Sequence, residues 1–340
     1  MPSDPIPTAS APATAPEPPA TGRTGGPSAP PVLAEVVRSG FTEGRHRGSL
    51  VVLAADGVVD WALGDVSAPV FPRSANKPFQ AVACLRAGVP LADERLAMAA
   101  ASHSGEPFHV ELAGRMLAER GFTEDDLQCP ADLPLDPAEA ETYLAAGHVR
   151  ARLTMNCSGK HAAMLAACRA AGWPTGDYLD PGHPLQRLVA ESLAAAADEP
   201  PAATGTDGCG APLLAVSLTG LARAFRSLVL ADPGSPERRV ADAMRAHPAH
   251  VAGTRRHDTW LMREVPGTLS KMGAEAVQAV ALPDGRALAF KLEDGSPRAL
   301  GPVLARVLER MGLEAPVLAR IAEQPLLGGG VPVGAVRPAF

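Results

Sequence analysis

The chain has 340 residues, is 46% hydrophobic and carries a formal net charge of −6. Beyond a Pro/Ala-rich start, roughly 300 residues remain, enough for one large core or two closely packed ones. The acidic balance, with 31 basic residues scattered rather than striped among aromatics, excludes nucleic acid and an anionic membrane surface as principal partners.

Residues 1–31 hold ten prolines, many alanines and no large apolar run. Such a composition cannot bury enough surface to offset ordering entropy, so the segment is expected to be disordered. It lacks the basic start and apolar stretch of a signal peptide, and no later window has the unbroken apolar length that spans a bilayer. Five cysteines, an odd number without an export signal, point to reduced thiols and a cytoplasmic location.

Residues 49–54 and 58–63 flank Ala55-Asp56-Gly57, which predicts an N-terminal hairpin. From about residue 76 to 230 the pattern turns mostly helical, with alanine-rich stretches at 91–101, 160–171 and 212–230. Gly172-Trp173-Pro174 and Asp232-Pro233-Gly234 punctuate these helices. Strands return at 276–282 and 287–292 around Pro283-Asp284-Gly285-Arg286, and a last helix is expected near 298–311. This order predicts an α+β fold: one antiparallel sheet built from about 32–72 and 265–340, packed with a mainly helical lobe over about 73–264.

Of the 31 basic residues only four are lysine: Lys77, Lys160, Lys271 and Lys291. Arginine serves wherever a surface cation suffices, but it does not deprotonate and does not fit a compact point-charge site. The first three lysines lie in Ser74-Ala75-Asn76-Lys77, Cys157-Ser158-Gly159-Lys160 and Ser270-Lys271-Met272-Gly273. Chance explains Lys291, at a strand end, better than it explains these three together.

Ser74 falls at or near a helix start with Lys77 one turn on, the spacing of a hydroxyl and a base that could activate it. By itself that spacing describes an ordinary capped helix. Ser102-His103-Ser104-Gly105-Glu106 reads equally well as a site loop or a helix-ending turn. Cys157 and Cys209, in glycine-containing loops, admit three readings: zinc ligands with Lys160, a thiol nucleophile, or buried thiols like Cys84, Cys129 and Cys168. Asp207 orients a substrate ammonium or makes a turn.

Taken in order, 73–80, 101–107, 156–161, 206–210 and 271–275 resemble segments of the rhizobial-type, zinc-containing L-asparaginase family, over about 32–300 of the chain. The resemblance implies a fold like that of serine β-lactamases and penicillin-binding proteins, with Lys271-Met272-Gly273 parallel to their K-T-G element. It implies hydrolysis of L-asparagine to L-aspartate and ammonia, in a homodimer. By position, Ser74 would be the nucleophile and Lys77 its base, with Ser102 the second hydroxyl and Lys271 its lysine partner. Cys157, Lys160 and Cys209 would hold zinc as an aid to substrate binding. Arg73 and Asp207 would line the substrate pocket, and Ser104 is the rival for the second-serine place or a further substrate contact. Two other readings are a serine hydrolase acting on β-lactams, esters or peptides, and a silent zinc- or asparagine-binding relative.

Overall fold

The computed structural model describes residues 29–340, so the expectation of disorder over 1–31 lies, but for its last three residues, outside them. The chain opens with β1 (Val32–Arg38), β2 (Phe41–Leu53), β3 (Val59–Leu63) and the short β4 (Pro69–Val70). Helices follow: α1 (Lys77–Arg86), α2 (Asp93–Ala99), α3 (Pro107–Ala118), α4 (Pro137–Ala145), α5 (Ser158–Ala171) and α6 (Pro184–Ala197). Next come β5 (Ala203–Thr206), β6 (Pro212–Ser217), α7 (Leu218–Leu230), α8 (Pro236–Ala246), α9 (Pro248–Ala252) and α10 (His257–Glu264). The chain closes with β7 (Leu269–Gly273), β8 (Val277–Ala281), β9 (Ala287–Leu292), α11 (Leu300–Arg310), α12 (Val317–Ala322), β10 (Pro325–Gly328) and β11 (Val331–Pro338).

Strands from both ends unite in one antiparallel sheet, ordered β10-β11-β1-β2-β9-β8-β7, with β3 also paired to β2. Both predicted hairpins are present, β2–β3 and β8–β9. The fold class is α+β, as the strand–helix–strand order requires.

Successive side chains of a strand point to opposite faces, and the sheet uses both. Val51 and Leu53 of β2, Ala279 and Ala281 of β8, and Ala287 and Ala289 of β9 face the helical lobe, where α7 lies on them. Leu50, Val52, Val280, Leu288 and Phe290 face the other way, against α11 and α12. Small residues under α7 and large ones under α11 let the two layers sit at different depths on one sheet.

The stretch 212–230 departs from its helical expectation. Residues Pro212–Ser217 are a strand, β6, between β4 and β5, and only from Leu218 does the chain turn helical. A strand buried along its whole length shows no alternation, so its apolar run reads like a helix. Ser217 marks the change, its hydroxyl accepting from Gly220 N at 2.8 Å as the cap of α7.

Gly273 sets the distance between the sheet and the start of α1. A Cβ there would lie 2.2 Å from Pro72 O and 3.2 Å from Ala75 N. Only a residue without a side chain lets β7 press against the turn carrying Ser74. Gly273→Ala is therefore expected to cost roughly 1–3 kcal/mol, read as a lower urea midpoint at unchanged m-value; an unchanged midpoint would show that the two backbones are not in forced contact.

Candidate active site

The turn Arg73–Asn76 is a single 3-10 stretch that runs straight into α1. Ser74 caps neither element, so its hydroxyl is not engaged by the backbone. It makes no side-chain hydrogen bond to any described residue. Arg73 sits at φ 51°, a left-handed conformation that costs a non-glycine residue about 1–2 kcal/mol. Its guanidinium is held by Asp207, Nε donating to Oδ1 at 2.9 Å, with Glu275 at 3.8 Å on the other side. A cavity of about 300 Å³ opens here, lined by Phe71, Arg73, Thr206, Glu275 and Lys291 among others. A larger one, about 690 Å³ beside α8 and α9, contains none of the expected site residues.

Lys77 is the hub of the interior. Its Nζ is fully buried and lies 2.7 Å from Ala101 O, 2.8 Å from Ser102 Oγ and 3.0 Å from Cys157 Sγ. It makes no hydrogen bond to Ser74, although the two lie three residues apart at the start of one helix. Ser102 is the serine that reaches this hub. The Ser104 hydroxyl instead donates to Ala252 O at 2.6 Å, which fastens the loop to α9. The carboxylate of Glu106 is likewise a fastener, accepting from the Thr254 amide and hydroxyl at 2.8 Å each.

Beyond Lys77 the contacts continue through sulfur. Cys157 Sγ lies 3.1 Å from Asn156 Oδ1 and within hydrogen-bonding reach of Cys209. Cys209 Sγ lies 2.9 Å from Lys160 Nζ and 3.7 Å from Asp207 Oδ2. The hydrogen bond from Cys157, together with the Lys160 side chain, holds the Cys209 thiol far below its ordinary range. Burial alone would lower the Lys160 pKa, but the two sulfurs outweigh it and raise it. Gly159 allows the approach, since a Cβ there would lie 2.4 Å from Met98 Cγ and 2.9 Å from Met98 O.

Among the described residues no three His, Cys, Asp or Glu side chains are grouped to hold a metal. The set in question is two sulfurs and the Lys160 nitrogen, with the buried His161 Nε2 left without a hydrogen-bond partner among the described residues. The two sulfurs suit zinc, and Lys160 could join them only on releasing its proton. Cys84, Cys129 and Cys168 are buried free thiols; burial lifts the Cys84 thiol to about 12.

Lys271 completes the set from β7. It is fully buried, and its Nζ donates to Met272 O at 2.8 Å rather than to Ser102. Burial, then the neighbouring Arg256 and Lys77, drive its pKa well below the usual lysine range. Asp258 raises it in opposition. The sequence gives no sign of Arg256 or Asp258 as site residues: both sit in an unremarked Arg-Arg-His-Asp run at the start of α10.

Behind the Ser102 loop lie two stacked imidazoles, His103 and His109, with ring centroids 5.1 Å apart. His103 Nε2 donates to Ser158 Oγ at 2.9 Å and His109 Nε2 to Ala249 O at 2.8 Å. Burial holds His109 neutral down to about pH 4, and His103 is lowered by burial, then by His109. A depressed histidine contributes stability that is intact above its unfolded value of 6.5 and is lost as pH falls toward its folded value. At pH 5 His109 alone is expected to have withdrawn about 2 kcal/mol. Urea midpoints at pH 7.5 and pH 5 should fall steeply for the wild type and less for His109→Gln; equal slopes would mean that His109 titrates normally.

A family profile described as L-asparaginase II matches residues 34–338. No curated protein sequence matches the chain. Among solved structures it is similar to a β-lactamase from Mycobacterium bovis, at 16% identity and a TM-score of 0.44, covering 78% of this chain and 95% of that one. It is also similar to simvastatin synthase from Aspergillus terreus, at 12% identity and a TM-score of 0.40, covering 81% and 92%. These structural likenesses are too distant to say anything of chemistry. The family match spans nearly the whole described chain, and the protein belongs to the L-asparaginase II family.

Proposed function

We propose that this chain hydrolyses L-asparagine to L-aspartate and ammonia through an acyl-enzyme on Ser74. The observation that carries the reading is a Ser74 hydroxyl with no hydrogen bond to any described residue, one helical turn from a buried lysine whose Nζ already holds the Ser102 hydroxyl. A serine oxygen becomes nucleophilic when a neighbouring amine takes its proton. Catalytic hydrogen bonds are often absent until substrate is bound, so the missing Ser74–Lys77 bond does not exclude the pair.

In the first step the Lys77 amine accepts the Ser74 proton while Oγ attacks the side-chain carboxamide carbon. Backbone N–H groups at the turn before α1 receive the developing oxyanion. The carbon–nitrogen bond breaks as a proton passes from Lys77 through Ser102 to the departing nitrogen, which leaves as ammonia. In the second step the Lys271 amine and Ser102 take a proton from water, and the oxygen of that water displaces Ser74 from the β-aspartyl ester. The proton returns to Ser74 and the enzyme is restored. Burial and the neighbouring cationic groups disfavour the charge of Lys271, which favours an amine in the volume it shares with Lys77.

A small zwitterion suits the rest of the pocket. Arg73 offers a guanidinium to the α-carboxylate, and Asp207 offers a carboxylate to the α-ammonium. Zinc held by Cys157, Lys160 and Cys209 would supply, when bound, a Lewis acid for a substrate oxygen. The homodimer and the cytoplasmic location belong to the same proposal; among the described residues no helix is long and apolar enough to cross a membrane.

Purified protein should release ammonia from L-asparagine, and Ser74→Ala should reduce kcat roughly 10³-fold or more. Lys77→Arg should be nearly as damaging, because arginine keeps its proton. Residual turnover near wild type in either variant would remove the assigned role; release of β-lactam or ester products instead would move the substrate class. Cys157→Ser should lower zinc content and raise KM for asparagine with a smaller change in kcat. Unchanged zinc content and KM would make the two thiols structural.

A further inference from the structure

Among the described residues, the second lysine has no side-chain hydrogen-bond partner. Lys271 Nζ touches one backbone carbonyl, and Ser102 is held by Lys77. What holds the two in register is the start of α10. Asp258, fully buried, accepts from Ser270 Oγ at 2.7 Å and from Met272 N at 3.0 Å, the residues on either side of Lys271. Gln278 Nε2, from the neighbouring β8, donates to both Asp258 Oδ1 at 3.1 Å and Ser270 Oγ at 3.0 Å. Two residues earlier, Arg256 Nη1 donates to Ser102 O at 2.7 Å. One short segment therefore grips both sides of the site: the loop of the second serine by its carbonyl, and the lysine strand by its flanks.

We propose that Arg256 and Asp258 are positioning residues for the Ser102–Lys271 pair, Arg256 fixing the serine loop and Asp258 fixing β7 around the lysine. Neither touches the reacting atoms. A buried carboxylate with three donors is costly to leave unpaired, so the clamp is rigid where a solvated one would not be. It also sets opposing fields at Lys271. The charged and titratable groups facing that amine are Asp258 and Arg256 from the start of α10, Lys77 from α1 and the Cys157 thiol before α5; Arg256 and Lys77 disfavour its proton, while Asp258 and Cys157 favour it. Asp258 itself is held well below the usual carboxylate range: burial would raise it, but His257, Lys271 and Arg256 outweigh burial.

The inference rests on the hydrolase reading for its kinetic arm only. With four lysines in the chain, a protein labelled at lysine Cε gives four resonances, and the one lost in Lys271→Arg is that of Lys271. At matched zinc content, its titration midpoint should rise in Arg256→Gln and fall further in Asp258→Asn. A merely loosened structure would instead bring Lys271 toward the ordinary lysine range in both variants. Arg256→Lys keeps the charge but not the reach, so it should leave the midpoint in place while lowering kcat roughly 10²-fold with little change in KM. If Asp258→Asn fails to fold, the two Arg256 variants still decide the matter. A midpoint unmoved in Arg256→Gln, or a full kcat in Arg256→Lys, would overturn the clamp. A wild type that releases no ammonia would sink the hydrolase reading and leave the lysine titrations to judge the positioning.

Discussion

Three lysine side chains taken out of water in one interior volume are the constraint on which the rest of the structure depends. Lys77, Lys160 and Lys271 are 1%, 2% and 0% exposed, and an isolated buried ammonium is too costly to keep. Each has been resolved differently. At Lys160 the Cys209 and Cys157 sulfurs favour the charged form against burial. Lys271 is pushed toward its uncharged form by burial and two neighbouring basic side chains. Lys77 is bound by a carbonyl, a hydroxyl and a sulfur, the only one of the three with acceptors of three kinds. The same contacts bring together the hydroxyls and thiols of the proposed site.

Those contacts run as a path that ends next to Ser74. From Ser102 it passes to Lys77, Cys157, Cys209, Asp207 and Arg73, and Arg73 is the residue before Ser74. Members come from the start of α1, the loop after α2, the start of α5 and the turn between β5 and β6. Gly159 and Gly273 press these elements together where any side chain would hold them apart. The path ends beside Ser74, whose hydroxyl makes no hydrogen bond to any described residue.

Much of this was legible in the residues. The scarcity of lysine isolated three positions where arginine cannot serve, and those three are the buried ones; Lys291, set aside as chance, is half-buried on β9 with its Nζ on the Glu275 carbonyl. Turn chemistry located both hairpins, because Asp-Gly sequences carry their geometry in local backbone preference. The sheet joining both ends followed from element order. Other features were silent for a physical reason. β6 is buried on every side and so lacks the alternation that marks a strand. Ser104 and Glu106 resemble reactive residues in sequence, yet their polar atoms satisfy α9 and the loop after it. Asp258 and Arg256 act through contacts to β7 and the Ser102 loop across the fold, which no local spacing encodes.

The central claim is a covalent one, that Ser74 carries the aspartyl group between the two steps. Acid quenching of protein mixed with L-asparagine, followed by proteolysis and mass measurement of the peptides, tests it most directly. The account predicts a mass increase of one aspartyl residue on the peptide containing Ser74, absent from Ser74→Ala. The same increase on the peptide of Ser102 or of Cys157 would contradict it.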